Sequence, residues 1–435
     1  MGFSKINRQI LALAIPSIIA NITTPLLALV DTAIVGHMGS AMFIAAIAVG
    51  GSIFNMVYWM FGFLRMGSSG ITAQEWGRGD IRSCYDVLHR SLVIALAAGL
   101  LIILLSRPLL SVMLYFMDTD RATSALVDTY FSILVFGAPA VLANYSLTGW
   151  FLGMQNSRIT MWISVLINVT NIAVSLVLVF VFRLGITGVA VGTLVAQWAG
   201  CLAGFIAAGR YGFTFRGYSF RHIFEPSAIR RFFSINFDIF LRTLCLIAVT
   251  LWFTREGSRQ GITMLAVNTL LMQYFIIFSY FMDGFAFAGE ALAGRYLGAA
   301  DYDAFRLTVS RLLRWGAGIA LSFTVMYVAG GDLLLRLLSD DAAVVSSAHE
   351  FRWWAATIPF TGFAAFIWDG VFIGVTRTRQ MLLSMASAMA VFFISLYFFK
   401  PVLSNHGLWL SFILYLVTRG IVLTVFYYRS VRRSV

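Results

Sequence analysis

Apolar stretches recur along the whole chain, near residues 9–34, 43–67, 90–114, 124–149, 159–182, 186–209, 232–254, 262–289, 308–330, 349–375, 380–400 and 407–428. A membrane helix needs about 20 predominantly apolar residues, and every stretch reaches that length. The stretches are continuously apolar, whereas the strands of a membrane barrel are shorter and alternate apolar with polar positions. The pattern predicts an all-α polytopic membrane protein with twelve transmembrane helices.

Composition agrees. Hydrophobic residues make up 60% of the 435 and charged residues 11%, against about a quarter charged in an ordinary soluble domain. The same balance excludes a disordered chain. The formal net charge of +12 does not point to nucleic acid, because the basic residues are dispersed in short clusters between the apolar stretches. With the amino terminus placed inside, 20 of the 31 Lys and Arg fall in cytoplasmic connections and 8 in the opposite set. The other three, Arg65, Arg242 and Arg419, lie within spans. The bias follows the positive-inside rule and puts both termini in the cytoplasm. Cys84, Cys201 and Cys245 have neither metal-ligand spacing nor a disulfide pattern. The opening MGFSKINRQ runs into the first span without a small-residue cleavage site and reads as a retained helix.

The two halves match at a shift of 221 residues. FGFLRMGSSGITAQEWGRGD (61–80) lies over MDGFAFAGEALAGRYLGAAD (282–301), pairing Gly77 with Gly298 and Asp80 with Asp301. The same shift pairs Arg90 with Arg311, Gly149 with Gly370, Gly153 with Gly374 and Arg158 with Arg379. The expected organisation is an amino-terminal six-helix lobe (1–209), a basic and aromatic cytoplasmic linker (210–231) and a carboxy-terminal six-helix lobe (232–435). The linker either lies along the anionic inner leaflet or simply joins the lobes. An even number of spans per repeat implies two bundles related by a pseudo-twofold along the membrane normal, an arrangement used by transporters that bind substrate between lobes.

Asp31 stands out as one carboxylate in PSIIANITTPLLALVDTAIVG, a segment with no second acid or base. Ionisable groups at membrane depth are expensive and usually serve a transport pathway; burial opposes the charged form, so protonation becomes a means of changing the local polarity. A static structural aspartate is the alternative. Thr24 shares nearly the same helical face, and Pro16, two turns further back, removes a backbone hydrogen bond and creates a potential bend. Asn168, Asn171 and Ser175 share one face of the fifth span, as Thr193 and Gln197 do in the sixth. These neutral groups suit either a carboxyl–cation site or interhelical hydrogen bonding. In the second half, Asp238 and Arg242 lie one turn apart and are placed to pair with each other. Asp238, Asp283, Glu290 and Asp369 are candidates for a second ion site or for a cytoplasmic gate with Arg65, whose other role would be to snorkel to the interface. No nucleotide, serine-hydrolase or metal motif is present, which argues against an enzyme and for coupling to an ion gradient. An ion channel would differ from a carrier in lacking saturable, gradient-dependent flux.

These features resemble the multidrug and toxic compound extrusion (MATE) transporters, specifically their DinF-like branch, over nearly the whole chain. The resemblance rests on LAIPSIIANITTPLLALVDTAIVGHMG, FGFLRMGSSGITAQ, the fifth-span asparagines, GVAVGTLVAQ, FMDGFAFAGEALAGRYLGA, IWDGVFIGVTRTRQM and the duplicated layout. It implies a multi-pass protein of the bacterial inner membrane, without a cofactor, that exports small organic compounds, amphipathic or cationic, by alternating access. The coupling ion is H+ or Na+, lipids are its surroundings, and a monomer is expected. Asp31 occupies the family's first-helix carboxylate position, and Pro16 the associated bend. Asn171 and Thr193 match polar positions that accompany that carboxylate. Ser175 departs from the family, which often has Asp there, and this favours H+ over Na+. A lipid-linked precursor flippase of the same superfamily is the competing transporter reading, but it would want a strongly cationic cavity.

Overall fold

The computed structural model describes residues 2–36, 41–117, 121–214, 225–339 and 341–431. Thr24 and the linker core 215–224 lie outside this set, the former for its side chain only. The described residues form helices and no strand. In chain order they are α1 (Gly2–Gly36), α2 (Ala41–Met60), α3 (Phe63–Arg78), α4 (Ile81–Leu104), α5 (Ser106–Met117), α6 (Arg121–Leu134), α7 (Ala138–Gly153), α8 (Ser157–Leu176) and α9 (Ile186–Arg210). Then follow α10 (Pro226–Ser258), α11 (Ile262–Gly298), α12 (Tyr302–Leu338), α13 (Ala342–Gly374) and α14 (Thr378–Phe426).

Among the described residues, eleven helical runs are long and apolar enough to cross a membrane. The last, Thr378–Arg429, spans 52 residues, about twice what one crossing uses. It contains both of the final stretches expected from sequence. The backbone leaves the helical region at Ser404 (φ 48°, ψ −121°), and Gly407 comes to lie against the carbonyl of Phe399. Residues eight apart in a straight helix are about 12 Å apart, so the chain doubles back here. A polar network holds the turn: Asn268 and Asn405 exchange amide hydrogen bonds of 2.8 and 2.9 Å, the Trp409 indole donates to Asn268 Oδ1 at 2.9 Å, and Lys400 pairs with the buried Glu256.

The contacts divide the chain into two compact units. The amino-terminal unit is Ile19–Phe233; the other joins Met1–Ile18 to Ser234–Val435. Helix α1 thus contributes to both, changing unit two residues after the buried Pro16. The amino-terminal unit packs Ile34, Ile53, Phe54, Phe131, Leu142 and Val189 in one cluster and Leu88, Trp150 and Phe151 in a second. The carboxy-terminal unit is built on aromatic contacts, with the Tyr274 and Tyr327 rings 4.5 Å apart and tilted at 60°, and Phe278 set edge-on against Phe323 and Phe366. Large apolar side chains such as Leu104, Val181, Leu321 and Tyr397 point outward from the bundles. So much exposed apolar surface is anomalous in water and expected in lipid.

The repeat is written in matching contacts within each unit. A β-carbon on Gly149 would overlap the carbonyl of Arg65; one on Gly370 would overlap that of Ala286, the residue 221 positions on. Gly153 abuts the Ser69 carbonyl and Gly374 that of Glu290, again one shift apart. Asp80 caps α4 by accepting from the Ser83 amide at 3.0 Å, and Asp301 caps α12 by accepting from the Ala304 amide at 3.0 Å. The positive φ angles recur as well: Gln155 (65°) with Thr376 (55°), and Arg183 (56°) with Ser404 (48°). The break inside α14 therefore stands where the first half has its connection between α8 and α9.

Candidate functional site

The amino-terminal unit gathers polar groups around Asp31, near the end of α1. The carboxylate is 6% exposed, accepts a hydrogen bond from the Asn171 side chain, and has no ion-pair partner among the described residues. Asn171, fully buried on α8, also donates to Thr193 Oγ1 on α9 at 2.8 Å, and Thr193 donates to the Val189 carbonyl at 3.0 Å. One amide thus links the carboxyl group to two further helices. The glycines of GVAVGTLVAQ explain how α8 and α9 come so close: a β-carbon at Gly192 would overlap Ser175 Oγ. Small residues permit such approach between membrane helices.

Asp31 Oδ1 and Asn171 Oδ1 are buried with no hydrogen-bond donor among the described residues, as are Asn144 Oδ1 on α7 and Ser175 Oγ on α8 in the same unit. Buried polar atoms are normally satisfied. An unsatisfied amide oxygen on the residue that bonds a lone carboxylate suits a proton or a small cation. Asn144 on α7 was not singled out from the sequence; its amide donates to the Gln197 carbonyl at 3.2 Å. The signal available was a lone amide within an apolar run. Tyr130 on α6 lies within electrostatic reach of Asp31 and was missed as well. Asn168 reaches elsewhere on α1, donating to the Thr23 carbonyl at 3.0 Å. Gln197 enters through its backbone oxygen.

The carboxy-terminal unit has a different centre. Arg242 on α10 pairs with Asp369 on α13, in place of the one-turn partnership with Asp238 that the spacing invites. Arg419 on α14 binds the same Asp369 oxygen at 2.6 Å. Asp238 accepts from Thr378 Oγ1 at 2.9 Å. Asp369 is therefore engaged by two arginines of its own unit. Glu290 is 1% exposed on α11, and Asp283 lies near Tyr280. The Arg65 guanidinium lies within electrostatic reach of Tyr145. Among the described residues no three His, Cys, Asp or Glu side chains are grouped to hold a metal ion.

Comparison with known proteins agrees with this layout. The family model described as MatE matches residues 16–177 and again 235–399, once in each half. The DNA damage-inducible protein F of Escherichia coli is 34% identical over 424 residues, covering 97% of this chain and 92% of that protein. A probable multidrug resistance protein NorM of Geobacillus kaustophilus is 25% identical over 370 residues, covering 80% and 78%. The bent form of the Vibrio cholerae MATE transporter VcmN superimposes with a TM-score of 0.88 at 16% identity, covering 100% of this chain and 98% of that one.

Proposed function

The chain belongs to the MatE family of transporters, and from that premise we propose that it exports organic compounds, amphipathic or cationic, by proton-driven antiport with alternating access. Asp31 is the proton carrier. The observation that carries this reading is a buried carboxylate with no cation beside it, held by a neutral amide. Such a group is far easier to protonate than one fixed in an ion pair. Proton gain removes a charge from the α1–α8–α9 contact, and α1 is the helix that contributes to both units.

The reading includes twelve crossings in two six-helix halves of parallel direction, related by a pseudo-twofold along the membrane normal, with both termini in the cytoplasm. The doubling back at Ser404 and the bias of Lys and Arg between alternate connections support it. It also includes residence in the bacterial inner membrane, function as a monomer and no cofactor beyond the coupling ion. Sodium coupling is the second reading, favoured by the unsatisfied oxygens of Asp31 and its partner Asn171. Sodium sites take oxygen ligands, but the serine at position 175 supplies no second charge.

Proteoliposomes given independent H+ and Na+ gradients separate the two readings. An inwardly directed proton gradient alone is expected to drive ethidium export, with added Na+ changing the rate less than twofold. Strict dependence on Na+ with no response to pH would overturn the proton assignment.

A further inference from the structure

We propose that the cavity between the start of α5 and the middle of α6, in the amino-terminal unit, seats the headgroup of a phosphatidylethanolamine lipid, with its phosphate on Arg107 and its ammonium on Asp128. The cavity measures about 240 Å³ and is lined by Ser106, Arg107 and Ser132 together with the apolar Phe131, Val135 and Phe136. It stands at the edge of the membrane. Helix α4 is apolar enough to cross a bilayer, and its 24 residues rise about 36 Å, slightly more than the hydrocarbon core. Arg107 follows three residues after its end. Leu101, Leu104 and Phe136 are exposed around the opening, as lipid-facing side chains are.

The cavity is a departure from the repeat. Pro108 has no N–H to offer the Leu104 carbonyl and its ring crowds that carbonyl, so α4 ends at Leu104 and the chain restarts as α5 at Ser106. At the shift of 221 the second half runs on as unbroken α12, with Ala329 in place of the proline. The counterpart of Ser106 is Tyr327, a buried residue that donates to the Tyr274 carbonyl at 2.7 Å and packs its ring against that of Tyr274. Arg107 and Asp128 become Val328 and His349. The first half thus has a small hydroxyl and two opposite charges where the second has a packed aromatic ring.

Charge complementarity selects the occupant. Arg107 Nη1 donates to Asp128 Oδ1, and the two side chains are 72% and 44% exposed. An ion pair this exposed contributes at most about 1 kcal/mol, so exchanging it for two contacts with a lipid costs little. The guanidinium fork matches a phosphate. The carboxylate repels a headgroup that brings only negative charge, and a choline headgroup has no N–H to donate to it. Ethanolamine supplies a phosphate and a primary ammonium, neutral in sum like the pair that receives them. The apolar walls take the first carbons of the acyl chains.

Native mass spectrometry of the purified full-length protein, given equimolar dioleoyl phosphatidylethanolamine, phosphatidylcholine and phosphatidylglycerol, reads which lipid is retained. The wild type is expected to retain the ethanolamine lipid at least fivefold over each of the others. Asp128→Asn is expected to bring the ethanolamine and choline lipids within twofold of each other, and Arg107→Gln to lower retention of the ethanolamine lipid at least fivefold. Ser106→Tyr keeps both charges and places the second half's ring in the cavity. It is expected to abolish the preference in a protein that melts within a few degrees of the wild type. Equal retention of the three lipids by the wild type, a result that requires no variant, would overturn the proposal. So would a preference that survives Asp128→Asn or Ser106→Tyr, and dominant retention of the glycerol lipid would replace it with a simple basic site.

Discussion

At the scale of single residues, two kinds of position carry the structure. One is the chemical group set in neutral surroundings, of which Asp31 is the clearest. The other is the absent side chain. Gly370 lies so close to the Ala286 carbonyl that a methyl group has no room, and overpacking of this kind costs about 1–3 kcal/mol. Gly318, on α12, has open space where its β-carbon would be; there alanine gains up to about 1 kcal/mol of helix propensity. Thermal unfolding in detergent is expected to show Gly370→Ala melting lower and Gly318→Ala melting at or above the wild type. Equal melting of the two variants would remove the close-approach argument. Asp31 was legible in the sequence because nothing in its own segment neutralises it. The arginine pair was not legible, because the partners of Asp369 lie 127 and 50 residues away. The one-turn spacing of Asp238 and Arg242 suggested a local pair because spacing gives proximity along a helix but not the competing partners on other helices.

Elements begin and end where local chemistry dictates. The Asp80 side chain caps α4 through both the amide and the hydroxyl of Ser83, at 3.0 and 2.7 Å. Those hydrogen bonds hold its carboxyl below the usual carboxylate range. A group whose value is lowered on folding stabilises the protein fully above its unfolded value, and that contribution is lost as pH falls through the folded one. Asp80→Ala is therefore expected to cost about 1 kcal/mol at neutral pH, and the gap to the wild type should close as the pH falls below about 4. Melting curves across that range check it; a gap that persists in acid would contradict a carboxylate cap. Element existence was largely readable from apolar periodicity. The two final stretches of the sequence are separate helical segments that meet at a one-residue break at Ser404, where the reciprocal amides of Asn268 and Asn405 hold the turn closed. The membership of α1 in both units was not readable, since hydropathy does not report which neighbours a helix touches.

For the whole molecule, the duplication supplies the scaffold and leaves the chemistry unduplicated. Glycine contacts, helix caps and chain breaks recur at the shift of 221. Asp31 maps to Trp252, and the Arg242–Asp369–Arg419 cluster maps to Asn21, Thr148 and Trp198. The isolated acid and the arginine–aspartate cluster thus each belong to one half alone. The central claim is that Asp31 couples proton movement to export, and the direct measurement is ethidium flux in proteoliposomes under an imposed pH gradient, for the wild type and Asp31→Asn. The account predicts gradient-driven flux in the wild type and its loss, by at least a hundredfold, in a variant that melts within a few degrees of it. Full gradient-driven flux in Asp31→Asn would contradict the account.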